Sequence, residues 1–294
     1  MIADHGPDVE PSRRRRTLAA ALVAMREATG LNQTEFGARS GMNQPKVSRL
    51  ETGRQVPTLD EAMAWADAAG ASPDRREDLA EQVRIALREP VEMAEYLERG
   101  APHRQRQIGM QERSVGLMRD AQISIVPGLL QTAEYTRRQV GLSGLLRPEL
   151  GGDRTASLVA WAERKEALYD PDRRFEFVIT EAALRWRPGP DDAPHVLRAQ
   201  LRHLASLSTL ANVRIGVIPW RTPMHSCPEH GFIIYGEPGK DPEVWVHTGT
   251  KTTSTEHRDP DDVAIYQRLW ELLVADALFE DDARAELDRI ASTL

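Results

Sequence analysis

Residues 31–53 read LNQTEFGARSGMNQPKVSRLETG, and this stretch constrains the fold more than any other. The pattern predicts a short helix over 33–40 and a turn at Gly41 and Met42. A second helix follows, capped by Asn43 and ending at Gly53. Pro45 is tolerated there because a first-turn N–H has no intrahelical partner to lose. Phe36, Val47 and Leu50 supply the apolar contacts that hold the two helices together. A helix, a glycine turn and a second helix of this length form the unit that lays its second helix in the DNA major groove.

The flanks extend the helical pattern. Residues 17–29 carry Leu18, Leu22 and Met25 on one face and stop at Gly30. Thr58 caps a helix over 59–69, and Pro73 opens another that reaches about residue 88. The charge is divided. The whole chain carries −7, but residues 12–59 hold nine Arg and Lys against Glu27, Glu35 and Glu51. A basic segment on an acidic body is the footprint of a nucleic-acid module joined to something else; a merely solvated basic tail is the bland alternative.

Gln33 and Gln44 open the two helices eleven residues apart, Gly41 lies at the turn, and Leu50, Glu51 and Gly53 form a Leu-Glu-x-Gly ending. In these features residues 17–70 resemble the lambdoid phage repressor and Xre family. The resemblance implies an all-α, five-helix domain over 17–89. It pairs Arg26 with Glu51 as a structural tie between the first helix and the recognition helix. It implies that Gln44, Pro45, Lys46, Ser48 and Arg49 face the bases, although proline at 45 removes one expected hydrogen bond. Gln44 suits adenine, and Arg49 or Lys46 suits guanine. Gln33, Thr34, Thr52 and Arg54 are placed for phosphates. Residues 1–16 are expected to be a disordered arm, with Arg13–Arg16 lying on phosphates or entering a neighbouring groove. A helical hairpin that contacts protein instead of DNA is the competing reading.

Gly, Pro and polar residues cluster in 99–107, so a linker is expected over 90–107 and a second domain over 108–294. Helix is expected at 108–120, 153–169, 193–209, 260–277 and 280–292. Strands are expected at FEFVIT (175–180), VRIGVIP (213–219), FIIY (232–235) and VWVHT (244–248). The fold class is therefore α+β with a small, mainly antiparallel sheet. Residues 112–137, 175–189, 214–220 and 263–278 resemble a poorly characterised C-terminal domain joined to such modules in actinobacterial regulators. Those proteins are described as antitoxin-like, with a small partner protein encoded nearby.

The chemistry-bearing residues of this second part are sparse. His225, Cys227 and His230 lie close together and, with His247, offer metal-ligand types, but Pro223 and Pro228 mark an exposed loop. Cys227, the only cysteine, has no resolving thiol and fits a reducing cytoplasm. Glu181 and Arg185 read as an exposed i,i+4 pair. Trp161, Trp186, Trp220, Trp245 and Trp270 read as core or protein interface. Pro127 and Gly128 of VPGLLQT turn the chain, and the stripe of Leu158, Trp161 and Leu168 is buried or forms a dimer seam. There is no P-loop, GxSxG, HExxH or dinucleotide fingerprint, so neither enzyme activity nor a cofactor or metal is expected. No apolar run is long enough to span a membrane. The expectation is a cytoplasmic, dimeric DNA-binding regulator controlled through its C-terminal domain. The alternative is an antitoxin-like protein that sequesters a small partner and autoregulates on DNA.

Overall fold

The computed structural model describes residues 13–87, 91–92, 100–146, 154–189 and 193–294. The chain divides into two compact units, Met1–Pro90 and Val91–Leu294.

The first unit is helical: α1 (Arg13–Glu27), α2 (Gln33–Ser40), α3 (Gln44–Glu51), α4 (Leu59–Ala68) and α5 (Pro73–Leu87). The expected five-helix outline is matched only approximately, because α1 begins four residues before Thr17. Arg13–Arg16 are thus helical and not an arm, while residues 1–12 lie outside the described residues. Asn32, Asn43 and Thr58 cap α2, α3 and α4. Each offers a side-chain oxygen to a first-turn N–H that would otherwise go unpaired. The core gathers Leu18, Leu22, Phe36, Val47, Leu50, Trp65, Leu79 and Val83. Trp65 fills its centre, tilted against Phe36 at 4.6 Å between ring centroids, and its indole N–H donates to the Leu22 carbonyl at 3.2 Å.

The second unit holds a seven-stranded sheet. Its strands are β1 (Val91–Glu92), β2 (Leu117–Gln122), β3 (Arg174–Thr180), β4 (Val213–Ile218), β5 (Phe232–Tyr235), β6 (Trp245–Gly249) and β7 (Thr253–His257), in the order β1-β7-β6-β5-β2-β3-β4. The sheet is mixed, which corrects the expectation of a small antiparallel one. β2, β3 and β4 run parallel, while β5, β6, β7 and β1 continue antiparallel from β2. Parallel neighbours need crossovers. These are built from α7 (Ala133–Leu146), α8 (Arg154–Lys165), α9 (Glu181–Arg185) and α10 (Ala193–Leu207). β3 and β4 are covered on both faces, so they read as near-continuous apolar runs. Phe175, Phe177, Ile215 and Val217 pack with α10 and with α12 (Glu280–Ser292). Val178, Ile218, Ile234 and Val246 pack with Val263, Trp270 and Leu273 of α11 (Pro260–Asp276).

Helix α6 (Ala101–Arg113) occupies the stretch read as linker, and β2 occupies the end of the expected 108–120 helix. The region around them has a polar interior. Arg164 of α8 makes a two-point ion pair with Glu112 of α6, both almost fully buried. Gln111 donates to Glu256 of β7 at 2.9 Å. Asp120 of β2 is buried, accepts one hydrogen bond from the Gln122 amide at 2.7 Å, and lies near Glu112 and Arg164. Burial outweighs that hydrogen bond and pushes the Asp120 carboxyl up to about 7.

An aspartate whose folded pKa is raised favours the native state only while it is protonated there. Its contribution is present below the unfolded value of about 4 and is lost as pH rises toward about 7. Asp120→Asn keeps the oxygen that Gln122 bonds and cannot ionise. Its melting temperature should exceed that of the unmodified chain by a margin that grows from pH 4 to 7 and then levels off, as read by calorimetry. A margin independent of pH would contradict the assignment.

Candidate nucleic-acid interface

The turn between α2 and α3 is set by two glycines. Gly41 has φ +72, the left-handed conformation that glycine adopts without steric cost, and its N–H returns to the Gly37 carbonyl. Gly37 permits the close approach itself: a Cβ there would meet the Met42 carbonyl oxygen at 2.7 Å and Val47 Cγ2 at 3.4 Å. The α2 entry is a capping box, in which Asn32 accepts from the Thr34 and Glu35 N–H groups and Glu35 accepts from the Asn32 N–H. Asn43 accepts from the Lys46 N–H at 2.9 Å, and Pro45 stands in the first turn of α3.

A relay of side chains ties the three helices together. Arg26 pairs with Glu51 through Nε and Oε1, with a second contact from Nη2 to Oε2 at 3.4 Å. Arg26 also donates to the Leu31 carbonyl at 2.9 Å. The pair is secluded, with 13% of the Arg26 side chain and 5% of the Glu51 side chain exposed. Glu51 Oε2 accepts from the Gln33 amide at 2.7 Å, and Gln33 Oε1 accepts from the Gln44 amide at 2.8 Å. The two helix-opening glutamines are therefore joined, and the buried carboxylate behind them fixes their orientation.

The other sequence-derived residues are placed as follows. Gln44, Pro45, Arg49 and Thr52 are exposed, and Ser48 is half-buried on the same helix. Thr34 and Arg54 are exposed beside it. Arg49 donates to the Gln55 side chain at 3.1 Å, and Thr52 turns its hydroxyl back to the Ser48 carbonyl at 2.9 Å. Lys46 is ion-paired with Glu61 of α4 and half-buried. Sequence reasoning missed the Lys46–Glu61 pair, the use of Glu51 by Gln33, and the demand for glycine at 37. The first two join residues 15 and 18 positions apart on different helices, which no local pattern reports.

The second unit revises other expectations. Glu181 is no exposed pair member: it is 3% exposed, bonds Arg185 at 2.7 Å and Arg289 at 2.8 Å, and accepts the Trp220 N–H at 2.8 Å. Although burial opposes it, these three donors hold the Glu181 carboxyl down at about 2. His225 bonds Asp276 through its backbone N–H and its ring, and His230 lies 3.0 Å from the Tyr266 hydroxyl. Cys227 is exposed, and among the described residues no group of three His, Cys, Asp or Glu gathers as a metal site. Trp245 and Trp270 are buried, whereas Trp220 is 74% exposed. No helix of the described residues is long and apolar enough to cross a membrane.

Removing one partner of a buried ion pair leaves the other desolvated, at a cost of about 3 kcal/mol. Glu51→Ala strands Arg26 and frees Gln33. It should lower the stability of the first unit by about that amount and speed amide hydrogen exchange in α2 and α3. Unchanged exchange there would show that the relay carries no such weight.

Residues 17–79 match a family model described as a helix-turn-helix domain. Residues 105–289 match one described as a domain of unknown function, DUF5753. No curated protein matches the chain. The first match covers the segment that contains the capped α2–turn–α3 unit and its ion pair, and the second covers most of the mixed-sheet unit. The chain thus belongs to the DUF5753 family, with a DNA-binding helix-turn-helix domain at its N-terminal end.

Proposed function

We propose that this protein is a sequence-specific transcriptional regulator of Xre type that reads the major groove with α3. The observation that carries the reading is the Arg26–Glu51–Gln33–Gln44 relay. It costs nothing to reorganise at the moment of binding, because the Gln44 amide is already oriented at an exposed helix N-terminus. Gln33 and Thr34, at the start of α2, meet a phosphate. The positive end of the helix dipole favours an anion there, while the Thr34 N–H itself is taken up by the Asn32 cap.

Gln44 and Arg49 are the principal base readers, suited to adenine and guanine respectively. Lys46 reads a base only by leaving Glu61, so its contribution is smaller than that of Arg49. Pro45 offers an apolar contact and Ser48 a hydroxyl. Thr52 and Arg54 contact the backbone. One module reads few base pairs, so the protein acts as a homodimer on a pseudo-palindromic site with half-sites about one turn apart. The second unit modulates this affinity through a ligand or protein partner. An antitoxin-like role, with a small protein held on the second unit, is the alternative, for which the 74% exposed Trp220 is a candidate contact because tryptophan is enriched at protein interfaces. Co-purification of a stoichiometric small protein from the source organism would support that alternative.

Selection of bound fragments from the source genome, followed by sequencing, tests the reading and yields the operator. On that operator, Arg49→Ala should relax base preference at one position per half-site, costing about 1–3 kcal/mol against the best sequence. Arg54→Ala should weaken all sequences alike and reduce the steepness of the salt dependence. Loss of affinity in both variants with no change in preference would remove the base-reading assignment.

A further inference from the structure

The VPGLLQT segment (126–132) of the second unit is held by a set of buried hydrogen bonds. Gln131 is buried, donates to the Val126 carbonyl at 2.8 Å and accepts from Thr136 at 3.0 Å. Gln200, fully buried on α10, donates to the Leu130 carbonyl and accepts from the Thr132 N–H, both at 2.7 Å. Trp161 donates its indole N–H to the Gly128 carbonyl at 3.0 Å. A Cβ at Gly128 would press on that ring at 3.2 Å, so glycine here leaves room for the indole to close on the turn.

This frame borders an open cleft of about 640 Å³ between α7 and α8, its solvent-facing mouth included. Ala133, Leu158, Trp161 and Ala162 give it an apolar wall, and Lys165 lines it as well. The Lys165 ammonium donates to the Gln131 carbonyl, and among the described residues no carboxylate pairs with it. Glu134, the carboxylate lining the cleft, is bonded by Arg137 at 2.6 and 2.7 Å and by Arg138 at 2.7 Å. Burial, with Arg164 next to it in sequence, pulls the Lys165 amine down to about 8, and burial, with Lys165 nearby, lowers the imidazole of His203. A half-buried cation without a counter-charge, facing an apolar wall, is the complement of a ligand with an apolar body and one anionic head.

We propose that the α7–α8 cleft is a binding site for a small aromatic carboxylate. Its ring lies against Trp161 and Leu158, and its carboxylate accepts from Lys165. The site does not depend on what the first unit recognises.

The test uses the full chain, with naphthoate and its neutral isostere naphthamide as probes in titration calorimetry. Naphthoate should bind saturably, and naphthamide about tenfold more weakly, the scale of one charge-assisted hydrogen bond. Lys165→Gln keeps a donor for the Gln131 carbonyl and removes the charge. It should lose about tenfold for naphthoate and leave naphthamide unchanged. Ala162→Trp fills the cleft from an exposed position and should abolish binding of both probes without lowering the melting temperature. Three results would each overturn the proposal: no naphthoate binding, equal affinity for the two probes, or undiminished naphthoate binding in Ala162→Trp. The last of these decides the matter even where Lys165→Gln fails to fold.

Discussion

One buried carboxylate organises the first unit. Glu51 ends α3, yet its two oxygens are shared by Arg26 of α1 and Gln33 of α2. A desolvated carboxylate is tolerated only when its lone pairs are taken up, so its position fixes where the other two helices can lie. The apolar core beneath is generous but non-directional: Phe36, Val47, Leu50 and Trp65 exclude water without dictating a rotation for α3. The ion pair supplies that rotation, because Arg26 also anchors to the Leu31 carbonyl at the entrance to α2. Rigidity behind the helix and exposure in front of it are two consequences of the same contact.

What could be read in the amino-acid order was local. Asn43 and Thr58 were legible as caps because an Asx or Thr oxygen competes for the first N–H groups wherever it stands. The eleven-residue spacing of Gln33 and Gln44 was legible for the same reason, since two short capped helices and a glycine turn leave little freedom between them. The linker reading failed on Pro102. That proline sits in the first turn of α6, where its missing N–H costs nothing, so a residue that breaks helices in mid-course here begins one. The helix expected over 108–120 is real as far as Arg113 but gives way to β2, which was not seen because it carries Arg119, Asp120 and Gln122, and a polar inward position destroys the alternation that marks a strand. β7, reading TSTEH, was missed likewise: Glu256 and Ser254 belong to a polar interior and not to an apolar one. Parallel pairing of β2, β3 and β4 is a property of crossovers spanning tens of residues, which no short window reports.

Glu181 shows the same limit from the other side. At four residues' separation from Arg185 on a short helix, it has the signature of a surface pair worth little. Tertiary structure brings Arg289 and the Trp220 N–H to the same carboxylate, turning a solvated pair into a buried junction of α9, α12 and the segment after β4. The residue types were visible in sequence; the convergence from positions 181, 220 and 289 was not.

Adjacent residues on α8 divide the second unit into two electrostatic regimes. Arg164 points into the polar interior, where its planar fork meets both oxygens of Glu112. Lys165 lines the open cleft on the α7 side, held by a single backbone carbonyl. The chain carries 34 arginines and four lysines, so an arginine is what its composition supplies by default. A guanidinium at 165 would stay charged in any surroundings and would need several acceptors in one plane; the ammonium needs fewer and adjusts its proton affinity to burial. Two adjacent cations on one helix therefore differ in chemistry for a physical reason: one closes a buried pair, and the other faces a cleft with charge to spare.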